Sequence, residues 1–197
     1  MSTKYIVNNL PGQTIDGNPI DPKYRVYTAL LTQSGGDDPQ QVIGDNTTPG
    51  GFPPNNINAG VTYTISSNTD GDFIPFGAPN NYVGTSFVTT QNAGYYTATF
   101  ELDYNTGAPV VTVLENTIGN IWFTYASVGG YTVESSGLFL TDKTAVMISY
   151  GSDGNFDQGI QWYITNEDSI GLNTGNLTGN ADNMMTFPST IEIRVYN

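Results

Sequence analysis

The sequence predicts an all-β protein, an antiparallel β-sandwich of jelly-roll or Greek-key-like type. Three observations carry this. Apolar residues alternate with period two in one short run after another, as side chains do on a half-buried strand. Clusters of Gly, Asn, Asp and Pro separate the runs at about 8–12-residue spacing, the rhythm of sandwiches and barrels. No segment keeps a 3.6-residue apolar period, and Lys and Arg together number only five, with four Met, so strong helix formers are scarce.

The elements follow in chain order. Tyr24 to Thr32 reads as a strand with Tyr24, Val26, Thr28 and Leu30 on one face. Residues 34–54 read as loop, with SGGDD and DNTTPGGFPP as turn chemistry. Val61, Tyr63 and Ile65 alternate in a half-buried strand, and 69–73 and 77–81 are turn-rich. Phe87 to Thr90 is a short strand. Tyr96, Ala98, Phe100, Leu102 and Tyr104 give the longest alternation, ending at Asn105-Thr106-Gly107. Strands are then expected over 109–114, over 120–125 with Ile121, Phe123 and Tyr125 on one face, and over 131–134 and 137–141. Residues 145–150 and 159–165 are strands either side of an SDGNFD loop, and 172–182 reads as a Gly/Asn/Thr loop. Residues 181–186 could make at most one helical turn, and Thr190 to Tyr196 closes the chain with Ile191, Ile193 and Val195 inward. The main core is expected to hold Ile121, Phe123, Val146, Ile148, Ile160, Trp162, Ile191, Ile193 and Val195.

Composition excludes several kinds of chemistry. Five Lys and Arg against 18 Asp and Glu give a formal charge of -13, so a basic face for nucleic acid or for an anionic membrane is not expected. Cysteine and histidine are both absent, which removes Cys and Ser-His-Asp nucleophile chemistry and His/Cys zinc sites. No apolar run approaches the ~20 residues of a membrane span, and MSTKYIVNNLPGQ carries no signal-peptide core. The expectation is a soluble, acidic protein. Its 13 Tyr, 9 Phe and 2 Trp supply core material that disordered chains lack.

Two stretches resemble bacteriophage virion sequences. GVTYTISSNTDGDFIPFGAPNNYVGTSFVTT (60–90) is similar to a module, G-V-T-Y-T-I … G-D-F … G-A … G-x-x-F-x-x-T, of phage structural and head- or tail-fibre proteins. YRVYTALLTQSG (24–35), 108–148 and TIEIRVYN (190–197) together resemble a domain of phage and marine viral sequences. In shorter chains of that kind the TALLTQSG strand runs almost directly into A-P-x-x-T-V-L-E-N-T. The resemblance therefore implies an inserted smaller β-module at 36–104, within a main sandwich made of 24–35 plus 105–197. Residues 1–23, with three prolines, would form an extended N-terminal arm. It implies no catalytic residues and mildly favours a trimer.

Asp153, Asn155 and Asp157 have the spacing of the front half of a calcium loop. The pattern then departs, with Gln158 in place of Gly and Ile164 in place of Glu, so a solvated turn is the ordinary reading. Asp70 with Asp72, and Asp37 with Asp38, form two further acidic turns. The five glutamates (101, 115, 134, 167, 192) show no fixed pair for glycoside hydrolysis. Glu101 and Glu192 are expected to face solvent, and Glu115 to cap a turn or pair with a cation such as Arg194. Trp122 stands opposite Ile121 and Phe123 in parity and is an interface candidate, as are Tyr5, Ile6, Val7 and Leu10 of the arm.

The functional expectation is a non-enzymatic structural component of a bacteriophage virion: a head-fibre, capsid-decoration or tail/fibre-associated protein. Its expected place is the virion exterior, after synthesis in the bacterial host cytoplasm. Partners would be copies of itself and other virion proteins, with no cofactor required beyond an optional calcium. The alternative is an attachment module binding a host receptor or surface glycan.

Overall fold

Period-two alternation becomes a set of antiparallel ladders in the computed structural model, which describes residues 14–15, 18–19, 23–45, 56–94, 97–151, 158–183 and 185–197. In chain order the strands begin with β1 (Thr14–Ile15), β2 (Asn18–Pro19), β3 (Tyr24–Thr32), β4 (Pro39–Gly44) and β5 (Thr62–Asn68). They continue with β6 (Ser86–Val88), β7 (Phe100–Asn105), β8 (Val110–Asn116), β9 (Trp122–Ser127) and β10 (Gly130–Glu134). The last five are β11 (Thr144–Ser149), β12 (Gly159–Ile164), β13 (Ser169–Asn176), β14 (Gly179–Asn180) and β15 (Ser189–Tyr196). Among the described residues the one helical turn is 3-10, at Ile74–Phe76, and the described residues of 181–186 are not helical.

Two sheets face each other, one in the order β11-β15-β3-β8 and the other β12-β13-β10-β9, with β14 added to β13. Each strand turns its alternate residues inward. Tyr27, Ala29, Leu31, Val146, Ile191, Ile193 and Val195 meet Phe123, Tyr131, Val133, Ile170 and Leu172 in one buried core. Ile121, Phe123, Val146 and the three β15 residues stand in it as expected, with Ile148 and Ile160 half-buried against it. Trp162 does not: it is 38% exposed. Its parity is right, since it pairs with buried Leu172, but β12 is the edge strand, and its outer side chains reach past the opposing sheet.

A third sheet, β4-β7-β5-β6, has an apolar core of its own. Val42, Ile57, Tyr63, Ile65, Phe73, Phe76, Phe87, Phe100 and Leu102 cluster there. Phe73 meets Phe100 edge-on at 5.1 Å, a favoured aromatic geometry. All of these residues lie between positions 42 and 102. The sheet is docked on the open side of the sandwich between edge strands β8 and β9. Val111 N–H donates to Gly60 O (2.8 Å), Phe123 N–H to Thr62 Oγ1 (3.1 Å) and Asn120 Nδ2 to Ser86 O (2.9 Å). Val88 of β6 reaches into the main core. Gly60 is required at this junction: its φ is +82°, and a Cβ would fall 2.5 Å from Val111 O.

Chain entry and exit for this sheet lie side by side. Pro39 pairs with Asn105, and just beyond them Gly107 packs so tightly on Gly36 that a Cβ would sit 2.3 Å from its carbonyl oxygen. Thr32 and Val110 are themselves paired in β3 and β8. Buried Gln33 closes this neck. Its Nε2 donates to Gly35 O (2.9 Å) and Gly107 O (3.2 Å). Its Oε1 accepts from Asn183 N–H (2.8 Å).

The structure corrects three readings. Residues 39–44 form β4 where a loop was expected. Pro39 takes the first position of an edge strand, where a missing N–H costs little. Residues 172–182 are mostly strand, because Gly175 marks close packing against Gly179 and only 177–178 form a turn, between β13 and β14. Residues 137–141 are irregular, though Phe139 is fully buried. Within the expected arm, β1 and β2 form a small ladder, Thr14 to Pro19 and Ile15 to Asn18.

Two outcomes follow. Gln33→Leu should lower stability by about 1–3 kcal/mol in urea titration, because the buried Gly107 carbonyl loses its partner, as do the more exposed Gly35 carbonyl and Asn183 N–H. Excising 37–106 and joining Gly36 to Gly107 through Asn-Gly turns β3 and β8 into a hairpin. That protein should keep a β circular dichroism spectrum and a cooperative transition, at a lower Tm. A chain with no thermal transition would mean that the third sheet and the sandwich cannot fold apart.

Candidate functional site

The outer face of the β12-β13-β10-β9 sheet carries the exposed Tyr163 ring among amide and hydroxyl side chains. Register places Trp122 beside Glu134 and Thr124 beside Thr132. Glu134 lies beside Ser169 and Thr132 beside Gly171, while Gln161 lies beside Asn173 and Tyr163 beside Gly171. Neighbours across strands are satisfied in pairs: Thr124 Oγ1 and Thr132 Oγ1 are 2.5 Å apart, and Ser169 Oγ donates to Glu134 Oε1 at 3.0 Å. Tyr163 is 51% exposed, and its ring lies over Gly171, where a Cβ would come within 2.3–2.7 Å of three ring carbons. A strand glycine here makes room for an aromatic ring.

Toward the Gly159 end, the face drops into a groove of about 310 Å³. Gly159 and Gly175 face each other across the strands and leave its floor without side chains. Gln158, Gln161, Asn173, Asn176 and Asn180 rim it. A second cleft of about 500 Å³ lies where the third sheet meets the sandwich, lined by Val88, Thr90, Val113, Asn116, Ile118 and Tyr27 among others.

Asp182 anchors the loop after the groove. It accepts from Tyr125 OH (3.0 Å), Gly129 N–H (2.7 Å) and Tyr131 OH (3.3 Å). Burial raises the Tyr131 phenol well above the ordinary tyrosine value, and the Asp182 charge adds to the rise. Tyr125 is raised by desolvation and by the same carboxylate. Burial alone raises Tyr27, whose hydroxyl makes no hydrogen bond.

No family model, no curated protein and no solved structure matches the chain.

The residues singled out from sequence separate as follows. Asp153, Asn155 and Asp157, and Tyr5, Ile6, Val7 and Leu10, lie outside the described residues. Trp122 is half-buried at the margin of the main core. Asp70 accepts from Thr99 N–H (2.6 Å), and Asp72 from Ile74 N–H and Asn81 Nδ2. Asp37 accepts from Asn105 Nδ2 and Asp38 from Gln40 Nε2. Asp72 and Asp38 thus hold local turns, while Asp70 and Asp37 tie their turns to distant segments. Among the described residues no three carboxylates come together. The expected partner of Arg194 is corrected. It pairs with Glu192 at 2.5 Å, two residues away on the same strand face, while Glu115 sits on edge strand β8 beside Thr28. The groove amides escaped sequence reading because three of them lie in the stretch taken for a loop.

The buried tyrosines set an alkaline limit. An unfolded chain ionises tyrosine near pH 10, while folded Tyr27 stays protonated, so proton release favours unfolding as pH rises past 10. Stability should fall by about 1.4 kcal/mol per pH unit for Tyr27 in that range. Tyr27→Phe removes an unpartnered buried hydroxyl and should move the alkaline unfolding midpoint upward. An unchanged midpoint would show that Tyr27 ionises equally in both states.

Proposed function

We propose that the protein is a non-enzymatic structural component of the bacteriophage virion exterior, of head-fibre, capsid-decoration or tail/fibre-associated type. It works by assembling with copies of itself, a trimer being the expected state, and with other virion proteins. The observation that carries this reading is the outer face of the β11-β15-β3-β8 sheet. Antiparallel sheets usually turn a polar face to water. This one presents Val26 and Leu30 from β3 and Met147 from β11, the last 43% exposed. Tyr24 and Tyr196 stack at one end with ring centroids 5.5 Å apart.

Its charges are largely cancelled within the face. Glu192 pairs with Arg194, and the Arg194 guanidinium lies 4.8 Å over the Tyr24 ring. The hydrogen bond that Arg194 Nε donates to Glu192 holds Arg194 above its usual pKa, so it stays cationic at any working pH. A chain of net charge -13 repels its copies at most faces, and a partly apolar face whose central charges are paired, with Glu115 at its β8 edge, is where two copies can approach. The likeness of 60–90 and of the flanking motifs to phage virion modules supports the same reading.

Sedimentation velocity tests it. The parent should run as an oligomer at micromolar concentration, consistent with a stable interface of ~1,200–2,000 Å². Leu30→Lys with Met147→Lys should run as a monomer with little change in Tm. A parent that stays monomeric at every concentration, and does not join the particle, overturns the proposal.

A further inference from the structure

Five carboxamides line one uncharged groove, and an aromatic ring stands next to it along the same sheet face. The ring is Tyr163, pressed on one side against the Gly171 backbone and half exposed on the other. One pair of positions along the same face, Gln161 and Asn173 stand opposite each other. Beyond them the floor is bare glycine, Gly159 against Gly175. Asn180 pairs with Gly175 from the other side.

The amides are available. The side-chain amides of Gln161, Asn173 and Asn180 hydrogen-bond to no other described residue. Two more have their oxygens engaged and their NH₂ groups left over. Asn176 Oδ1 accepts from Thr178 N–H (2.8 Å) and Thr178 Oγ1 (2.6 Å), and Gln158 Oε1 accepts from Tyr150 OH. Three amides thus offer both donor and acceptor, and two offer donors alone.

We infer that this groove is a binding site for a neutral carbohydrate chain. Sugar hydroxyls both donate and accept, and adjacent ones present paired groups that a carboxamide meets in two places. The apolar C–H face of a sugar ring fits a flat, solvent-facing phenol ring, which is apolar in body and polar at its tip. A glycine floor lets the ring approach the backbone closely. The groove's about 310 Å³ is at the lower end of ordinary ligand sites of ~300–1,000 Å³. Its rim is uncharged on a strongly acidic chain, which disfavours anionic sugars, phosphates and acidic peptides. The site lies on the opposite outer face from the proposed assembly surface, so the two readings stand or fall separately.

The test is a titration of the full chain with maltotetraose, cellotetraose and the tetramer of N-acetylglucosamine, with oligogalacturonate as the anionic comparison. Amide chemical shifts and calorimetry are the readouts. One neutral oligosaccharide should bind saturably, with shift changes confined to 158–163 and 171–180. Tyr163→Ala and Asn173→Ala should each weaken that binding about tenfold or more, with Tm and oligomeric state unchanged. Gly171→Ala, which lifts the ring by crowding it, should weaken it as well, and provides a second variant if either truncation unfolds. No saturable binding to any neutral member at millimolar sugar overturns the inference. So does binding that both truncations leave intact, or binding of oligogalacturonate alone.

Discussion

At 1% exposure, the Gln33 carboxamide is sealed from water where the polypeptide leaves the sandwich. It fastens three passes of chain: the outgoing one at Gly35, the returning one at Gly107 and the segment at Asn183 that leads into β15. Its own N–H continues the stitch to Met185 O at 2.8 Å. In a low-dielectric site each of these bonds is strong, and each unmade one is costly. The long excursion between β3 and β8 is therefore closed at a narrow neck. The ends are already adjacent, so the intervening residues fold into their own sheet without prying β3 from β8.

That excursion repays the sandwich by covering its weak side. β8 and β9 are the edge strands of the two facing sheets, and unpaired edges invite other chains. Gly60 meets β8 at Val111, and Thr62 meets β9 at Phe123. Val88 fills the space between the two sheets. On the far side the sandwich uses its own means, with Tyr150 after β11 bonded to Gln158 before β12. One side is closed by the third sheet, through hydrogen bonds and Val88, and the other by a local contact.

Strands with strict alternation were legible without a structure. β3 and β15 are central and buried on one face, so Ala29 and Leu31, or Ile191 and Ile193, carry the period without interruption. β13 was hidden for the opposite reason. Its sequence SIGLNTGN spends glycines on neighbours, Tyr163 over Gly171 and Gly179 beside Gly175, and such close approach leaves the same mark in a sequence as a turn. β4 was hidden because only Val42 points clearly inward among Pro and Gln. Trp162 was misplaced because parity fixes a face but not a position within a sheet. The groove followed β13 into obscurity, since Asn173, Asn176 and Asn180 read as loop residues until that strand is drawn.

Tyr24 pairs with Tyr196, and Asn197 N–H donates to Lys23 O at 3.2 Å. Residues 23 and 197 thus share one corner. β3 runs nine residues from there to the neck, about 30 Å at strand rise. The inserted sheet leaves from the neck, and Asn183, bonded to Gly35, brings the groove end of β13 and β14 to the same pole. A body held by the Lys23–Asn197 corner would consequently carry both at its far tip, pointing outward like a signboard on a short post. Sequence changes confined to that pole lie about 30 Å from the corner where residues 23 and 197 meet and leave its pairing untouched.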